Sequence, residues 1–194
     1  MTFSEIRQKA SNYKIGIAGC GGLGSNCSSM LVRSGITQLV LVDYDIIQES
    51  NLNRQFFFYE QLGKLKTEML KENLIKINSA TNIITHNAKL DPNNIDKYFS
   101  DCDIIVEAFD NAESKQMLIE VVQNKYPEKH LICVSGIGGL FDAEKIKIIR
   151  NGKLIMIGDF KADVSETNPP LAPKVTIAAA LQANEVLNII CSQK

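Results

Sequence analysis

The chain has 194 residues, enough for one α/β domain with a real core, residues 1–194 in all, and little besides. Hydrophobic residues make up 45% and charged residues 22%, and the formal net charge of -1 lacks the basic excess of a nucleic-acid binder. Residues 1–14 are polar with no apolar signal core, and the apolar runs beyond them are of strand length, so no membrane-spanning helix is expected and a cytoplasmic setting is.

The five cysteines, Cys20, Cys27, Cys102, Cys133 and Cys191, form no C-x-x-C pair. They read as small interior residues without a disulfide framework.

In chain order, residues 14–18 (KIGIA) read as a buried strand, followed by a glycine-rich loop and a helix over 25–34 that Gly35 would close. Residues 38–43 (QLVLVD) are a second strand, 44–63 an irregular polar segment, and 64–78 a helix. Strands follow at 82–87, 103–108 and 131–135, with a helix over 112–125. Strands separated by helices mean βαβ units and a mostly parallel, Rossmann-like sheet flanked by helices. Residues 145–150 and 153–157 flank Asn151-Gly152, a hairpin signal that adds a small antiparallel extension. A crossover loop over 158–173 holds three of the five prolines, and a closing helix is expected over 176–191.

Gly19-x-Gly21-Gly22-x-Gly24 follows a strand and opens a helix. Glycines allow a tight turn and close backbone approach to phosphates, and the helix start supplies N–H groups and the positive end of its dipole. Asp43 ends the next strand, where a carboxylate accepts hydrogen bonds from ribose hydroxyls. This context predicts a nucleotide but does not separate ATP from NAD. The chain leaves no room for an oxidoreductase's substrate domain, and the next segment carries charge that hydride transfer does not need. Arg54 can fork onto phosphate oxygens, and Lys66 adds a point charge. Asp110, just past the fourth strand, is placed to hold Mg²⁺. Glu107 is expected to pack or pair at the strand end.

In order, GCGGLG at 19–24, D-x-D at Asp43 and Asp45, N-L-N-R-Q at 51–55, G-x-x-K at 63–66 and D-N at Asp110 and Asn111 resemble the adenylyltransferases that activate ubiquitin-like proteins, the group of ThiF, MoeB and the ubiquitin-activating enzymes. The likeness covers roughly residues 14–190, and the E-A-F-D-N-x-E-S-K and L-A-P-K stretches look most like the short ThiF of thiamine biosynthesis. The resemblance implies that the C-terminal glycine carboxylate of a small ubiquitin-like sulfur carrier, ending in Gly-Gly, attacks the α-phosphate of ATP to give an acyl-adenylate and pyrophosphate. It assigns Asp43 to the ribose, Arg54 and Lys66 to the phosphates, Asn51 and Gln55 to ATP support, and Asp110 to Mg²⁺. Asp45, Asn53 and Asn111 belong to the same matched motifs and are counted with the nucleotide site. It also implies a homodimer, with Arg7 as the N-terminal arginine that would enter the partner's site.

The chain departs from the pattern in three places. It lacks the two C-x-x-C pairs that hold zinc in many relatives, so no zinc is expected. The crossover loop has no cysteine to take over the activated carrier, so a separate sulfur-transfer protein is expected to act on the adenylate. Lys115 stands where relatives often have arginine; it keeps the charge and loses the fork. Four other readings stay open: a MoaD-like carrier, a tRNA-linked carboxylate, a non-catalytic nucleotide-binding module, and an NAD-dependent oxidoreductase.

Overall fold

A computed structural model describes residues 1–140 and 143–192; positions 141, 142, 193 and 194 of the expected 1–194 domain lie outside these. Seven strands form one sheet: β1 (Lys14–Ala18), β2 (Gln38–Asp43), β3 (Asn82–Asn87), β4 (Ile104–Glu107), β5 (His130–Ser135), β6 (Lys147–Asn151) and β7 (Leu154–Gly158). Their order is β3-β2-β1-β4-β5-β7-β6. All neighbouring pairs are parallel except β6 with β7. Among the described residues the α-helices are α1 (Phe3–Ala10), α2 (Gly22–Arg33), α3 (Lys66–Ile77), α4 (Ile95–Phe99), α5 (Ala112–Lys125) and α6 (Ala172–Ser192).

The central strands are apolar on both faces because both are covered, as parallel sheets require. Ile15, Ile17, Leu39, Leu41, Ile104, Val106, Ile132 and Val134 share a core with residues of α2, α3 and α6. Val40, Val42, Ile105, Leu131 and Cys133 face the opposite way, onto Phe99 and Tyr98 of α4 and Leu118 and Val122 of α5. Gly16 in β1 makes this second core possible: a Cβ there would lie 2.6 Å from the Phe99 ring.

The sequence-based elements are found with shifted ends. Helix α2 starts at Gly22, inside the glycine loop, and closes on a Schellman turn: the N–H of Ile36 donates to the Leu31 carbonyl at 3.0 Å and that of Gly35 to Val32 at 3.2 Å, with Gly35 at φ 106°. The β6–β7 turn falls on Gly152-Lys153, since Asn151 pairs with Leu154. Helix α6 begins four residues earlier than expected, at Ala172. Helices α1 and α4 and the short 3-10 turns Glu49–Asn51 and Tyr59–Gln61 lack a long apolar period and were absent from the predicted elements.

The expectation drawn from apolar runs of strand length is revised at one helix. Among the described residues, α6 is long and apolar enough by length and composition. Its apolar residues are broken by Lys174, Thr176, Gln182, Asn184, Glu185 and Asn188, so its longest uninterrupted run, 177–181, is itself only of strand length. The helix packs along α2, and half of its most apolar stretch is buried. Its buried Gln182 donates to the carbonyls of Glu107 and Ile132 at 2.8 and 3.3 Å, fastening it to β4 and β5.

Phe99 is fully buried and fills the space over Gly16. Phe99→Ala should cost about 3–5 kcal/mol in a denaturant titration, the range for a large aromatic removed from a core that cannot collapse around it.

Candidate nucleotide site

The strand order reverses between β1 and β4, so a crevice opens beyond their carboxyl ends. The glycine loop forms its floor. Gly19 sits at φ 100°, its N–H bonded to the Val42 carbonyl at 2.9 Å, and a Cβ there would be 2.8 Å from the Ala108 carbonyl oxygen. A Cβ on Gly24 would collide with the Gly19 carbonyl oxygen, so the first turn of α2 can rest on the loop only through glycine. Gly21 is the N-cap of α2, no side chain caps the helix, and its first turn carries no acid. Its leading N–H groups and dipole therefore stay available to an anion in the crevice.

Asp43 closes the loop from β2. One carboxylate oxygen accepts the Cys20 N–H at 2.6 Å and the other the Asp45 N–H at 2.8 Å. Burial pushes its carboxyl up, against these two bonds and the charge of Lys66. Each oxygen keeps a further lone pair for a ribose hydroxyl. Lys66, the first residue of α3, is bonded to Asp45 at 2.7 Å, and its own N–H meets the Asp45 carbonyl at 3.0 Å. Lys66 is thus buried, in an ion pair with the half-buried Asp45.

The segment 51–55 folds over the loop. Asn51 is buried and accepts the Gln48 N–H at 3.1 Å, which shapes the 3-10 turn. Asn53 is exposed and receives the Arg54 guanidinium at 2.8 Å; Arg54 also donates to the Ser50 carbonyl at 3.1 Å. The Arg54 stem lies beside Gly22, 3.5 Å from a built Cβ. Burial draws the Arg54 guanidinium below its ordinary pKa, and the negative charge of Asp110 counters that shift. Gln55 sits over Gly21, and its buried side-chain oxygen has no partner among the described residues. A buried acceptor left unmade is costly unless a ligand donates to it.

Two residues that the sequence reading missed hold this arrangement. Asn26 donates to the carbonyls of Gly22 at 2.7 Å and Arg54 at 2.8 Å, and Ser25 accepts the Phe56 N–H at 2.9 Å. Their only signal was a polar pair in the first turns of a helix that also carries Ser28 and Ser29.

Across the crevice Asp110 is exposed at the end of β4. Asn111 caps α5 by accepting the Ser114 N–H at 2.8 Å, and its amide reaches Asp110 at 3.4 Å. Glu107 has no exposed side-chain surface and does pair: it takes both Lys115 contacts, at 2.8 and 3.0 Å, with the Phe109 N–H at 2.7 Å and the Val134 N–H at 3.4 Å. Burial raises its pKa, against the charge and hydrogen bond of Lys115. Lys115 therefore has a role the sequence did not give: it neutralises the carboxylate that shapes the turn bearing Asp110.

The described residues contain no group of three His, Cys, Asp or Glu side chains that could hold a metal. One exposed carboxylate beside a phosphate site suits Mg²⁺, which is commonly held by one or two carboxylates together with substrate phosphates and water. Arg7 does not join this chain's own crevice. It packs over Gly35 at the far end of α2, about 18 Å from the glycine loop at the helical rise per residue. All five cysteines are free; four are buried, and burial pushes the Cys102 thiol up to about 12.

Sheet, glycine loop and acid at the second strand define a nucleotide-binding protein of the doubly wound α/β class. The ThiF family profile matches residues 2–194, and the chain belongs to that family. It is 35% identical over 111 residues to the adenylyltransferase and sulfurtransferase MOCS3 of Xenopus laevis, covering 57% of this chain and 25% of that protein. It is 34% identical over 141 residues to the tRNA threonylcarbamoyladenosine dehydratase of Haemophilus influenzae, covering 72% and 53%. The fold is shared with the E. coli tRNA N6-threonylcarbamoyladenosine dehydratase solved with ATP: TM-score 0.87, 20% identity, 97% of this chain and 89% of that one. The chain spans about a quarter to a third of the length of several curated relatives it matches.

Lys115→Met strands a buried charge and should cost about 3–5 kcal/mol of stability, while Lys115→Arg should keep most of it. Denaturant unfolding of the two variants at pH 7 checks the difference.

Proposed function

We propose that this chain forms a single adenylation domain that activates a carboxylate with ATP. The observation that carries the reading is the convergence, at one crevice, of an uncapped helix start, Asp43 with lone pairs free for a ribose, the unpaired oxygen of Gln55, and Arg54 beside Gly22. The preferred substrate is the C-terminal glycine carboxylate of a small ubiquitin-like sulfur carrier, as in thiamine biosynthesis in the cytoplasm. Its oxygen attacks the α-phosphorus, the bond to the bridging oxygen breaks, and pyrophosphate leaves.

No protein nucleophile is needed for this step; positioning and electrostatics suffice. The α2 N–H groups hold phosphate oxygens, Gln55 accepts a donor from the nucleotide, and Asn26 keeps the Arg54 backbone over the loop. Arg54 swings from Asn53 to the phosphates, and Lys66 adds charge from its pair with Asp45. Asp110 would hold Mg²⁺, which neutralises phosphate charge when bound. The crossover loop has no cysteine, so sulfur loading falls to a separate protein. A homodimer in which Arg7 enters the partner's crevice completes the proposal.

A second reading, activation of a tRNA-linked carboxylate, is favoured by the near-complete structural overlap with a tRNA dehydratase. Labelled pyrophosphate exchange into ATP separates the two: exchange with a sulfur carrier supports the first reading, and exchange only with modified tRNA supports the second. Exchange with neither sinks both. Asp110→Ala should abolish exchange with the fold intact, and Arg54→Ala should lower its rate by about 10²-fold or more.

A further inference from the structure

Lys174 is the third residue of α6, and only 1% of its surface is exposed. A cation in the first turn opposes the helix dipole and loses its hydration, so helix stability does not explain it. Its ammonium donates to the Gly138 carbonyl at 2.8 Å and to Asp159 at 2.7 Å. The other Asp159 oxygen accepts the N–H groups of Lys161 and Ala162, each at 2.9 Å.

From there the contacts spread along two loops. The N–H of Gly138 donates to the Ala162 carbonyl at 3.1 Å and that of Gly139 to Pro169 at 2.9 Å, while the Asn168 amide donates to the Asp163 carbonyl at 2.6 Å. The loop after β5 and the crossover segment after β7 are thereby joined into one strap. Strands β5 and β7 run parallel to β4 and β1, so the strap lies at the same sheet edge as the glycine loop. Phe160 in the strap has φ 59°, the one positive value on a non-glycine among the described residues. Such a conformation persists only where its surroundings enforce it, and its neighbour Asp159 is the residue that Lys174 grips. The next residue of α6, Val175, lies against the start of α2, 2.9 Å from a Cβ built on Gly22.

We propose that Lys174 is a positioning residue: through Asp159 and Gly138 it latches the crossover strap beside the glycine loop in the shape that admits the carboxylate substrate. The identity of that substrate rests on the adenylation reading; the latch itself does not.

Lys174→Met tests it with two independent readouts. Tryptic cleavage at Lys161, inside the strap, should quicken by about tenfold or more under native conditions, as a locally opened segment allows. In pyrophosphate exchange, KM for the carboxylate substrate should rise by about tenfold, while the ATP Kd from calorimetry stays within about twofold. Lys174→Arg should restore both. Unchanged cleavage, or an ATP affinity that falls in parallel with the carboxylate KM, overturns the latch. If the native protein exchanges with no carboxylate substrate, the adenylation reading fails alone, and cleavage with ATP titration still decides the latch. If Lys174→Met does not fold, the Asp159→Asn, Lys174→Met double variant leaves no buried charge uncompensated. It should show the same faster cleavage, and native-like cleavage would refute the proposal.

Discussion

A carboxylate with no access to water sits directly beneath the crevice, and the architecture of the site depends on how its charge is met. Glu107 ends β4, yet its side chain turns inward and collects an ammonium from α5, the N–H of Phe109 and the N–H of Val134. Its backbone carbonyl takes the Gln182 amide of α6. Four elements thus meet at one residue. Burying a charge is tolerable only when geometry and hydrogen bonds repay the lost hydration, so these elements cannot drift independently. The turn that follows, with Asp110 at its tip, inherits that rigidity.

The opposite wall of the crevice is built from dipoles and amides. Helix α2 begins within the glycine loop, so its unpaired N–H groups belong to the site itself. Asn26 links that first turn to the segment carrying Arg54 with two short hydrogen bonds. The cations of this wall, Arg54 and Lys66, rest on Asn53, Ser50 and Asp45. These partners fix where the two cations stand.

Much of this was legible in the sequence because the strands are continuous apolar runs and the glycines stand at positions where a Cβ cannot fit. Gly24 against the Gly19 carbonyl and Gly19 at positive φ are local facts, and local facts leave a local pattern. The Glu107–Lys115 pair was not assignable, since a carboxylate at a strand end and a lysine on a helix look like surface groups until their burial is known. Asn26 and Ser25 were missed for a similar reason: each bonds to a residue roughly thirty positions away. Helix α6 escaped as an apolar helix because its polar residues, among them Lys174, Gln182 and Glu185, interrupt it, and only the packed structure shows these three to be interior. Arg7 was visible as the one early arginine, but its distance from its own crevice is set by the length of α2.

The position of α6 has a consequence for the order in which the molecule comes together. Helix α2 bears the phosphate loop and precedes six of the seven strands, yet its main helical neighbour, α6, follows all of them. A ribosome would have released nearly the whole sheet before the Val175 side chain could reach Gly22. Contacts of such sequence separation reward the chain only once a long loop has closed. The phosphate loop is therefore walled by a helix far from it in sequence, and that wall exists only where the intervening sheet brings the two together.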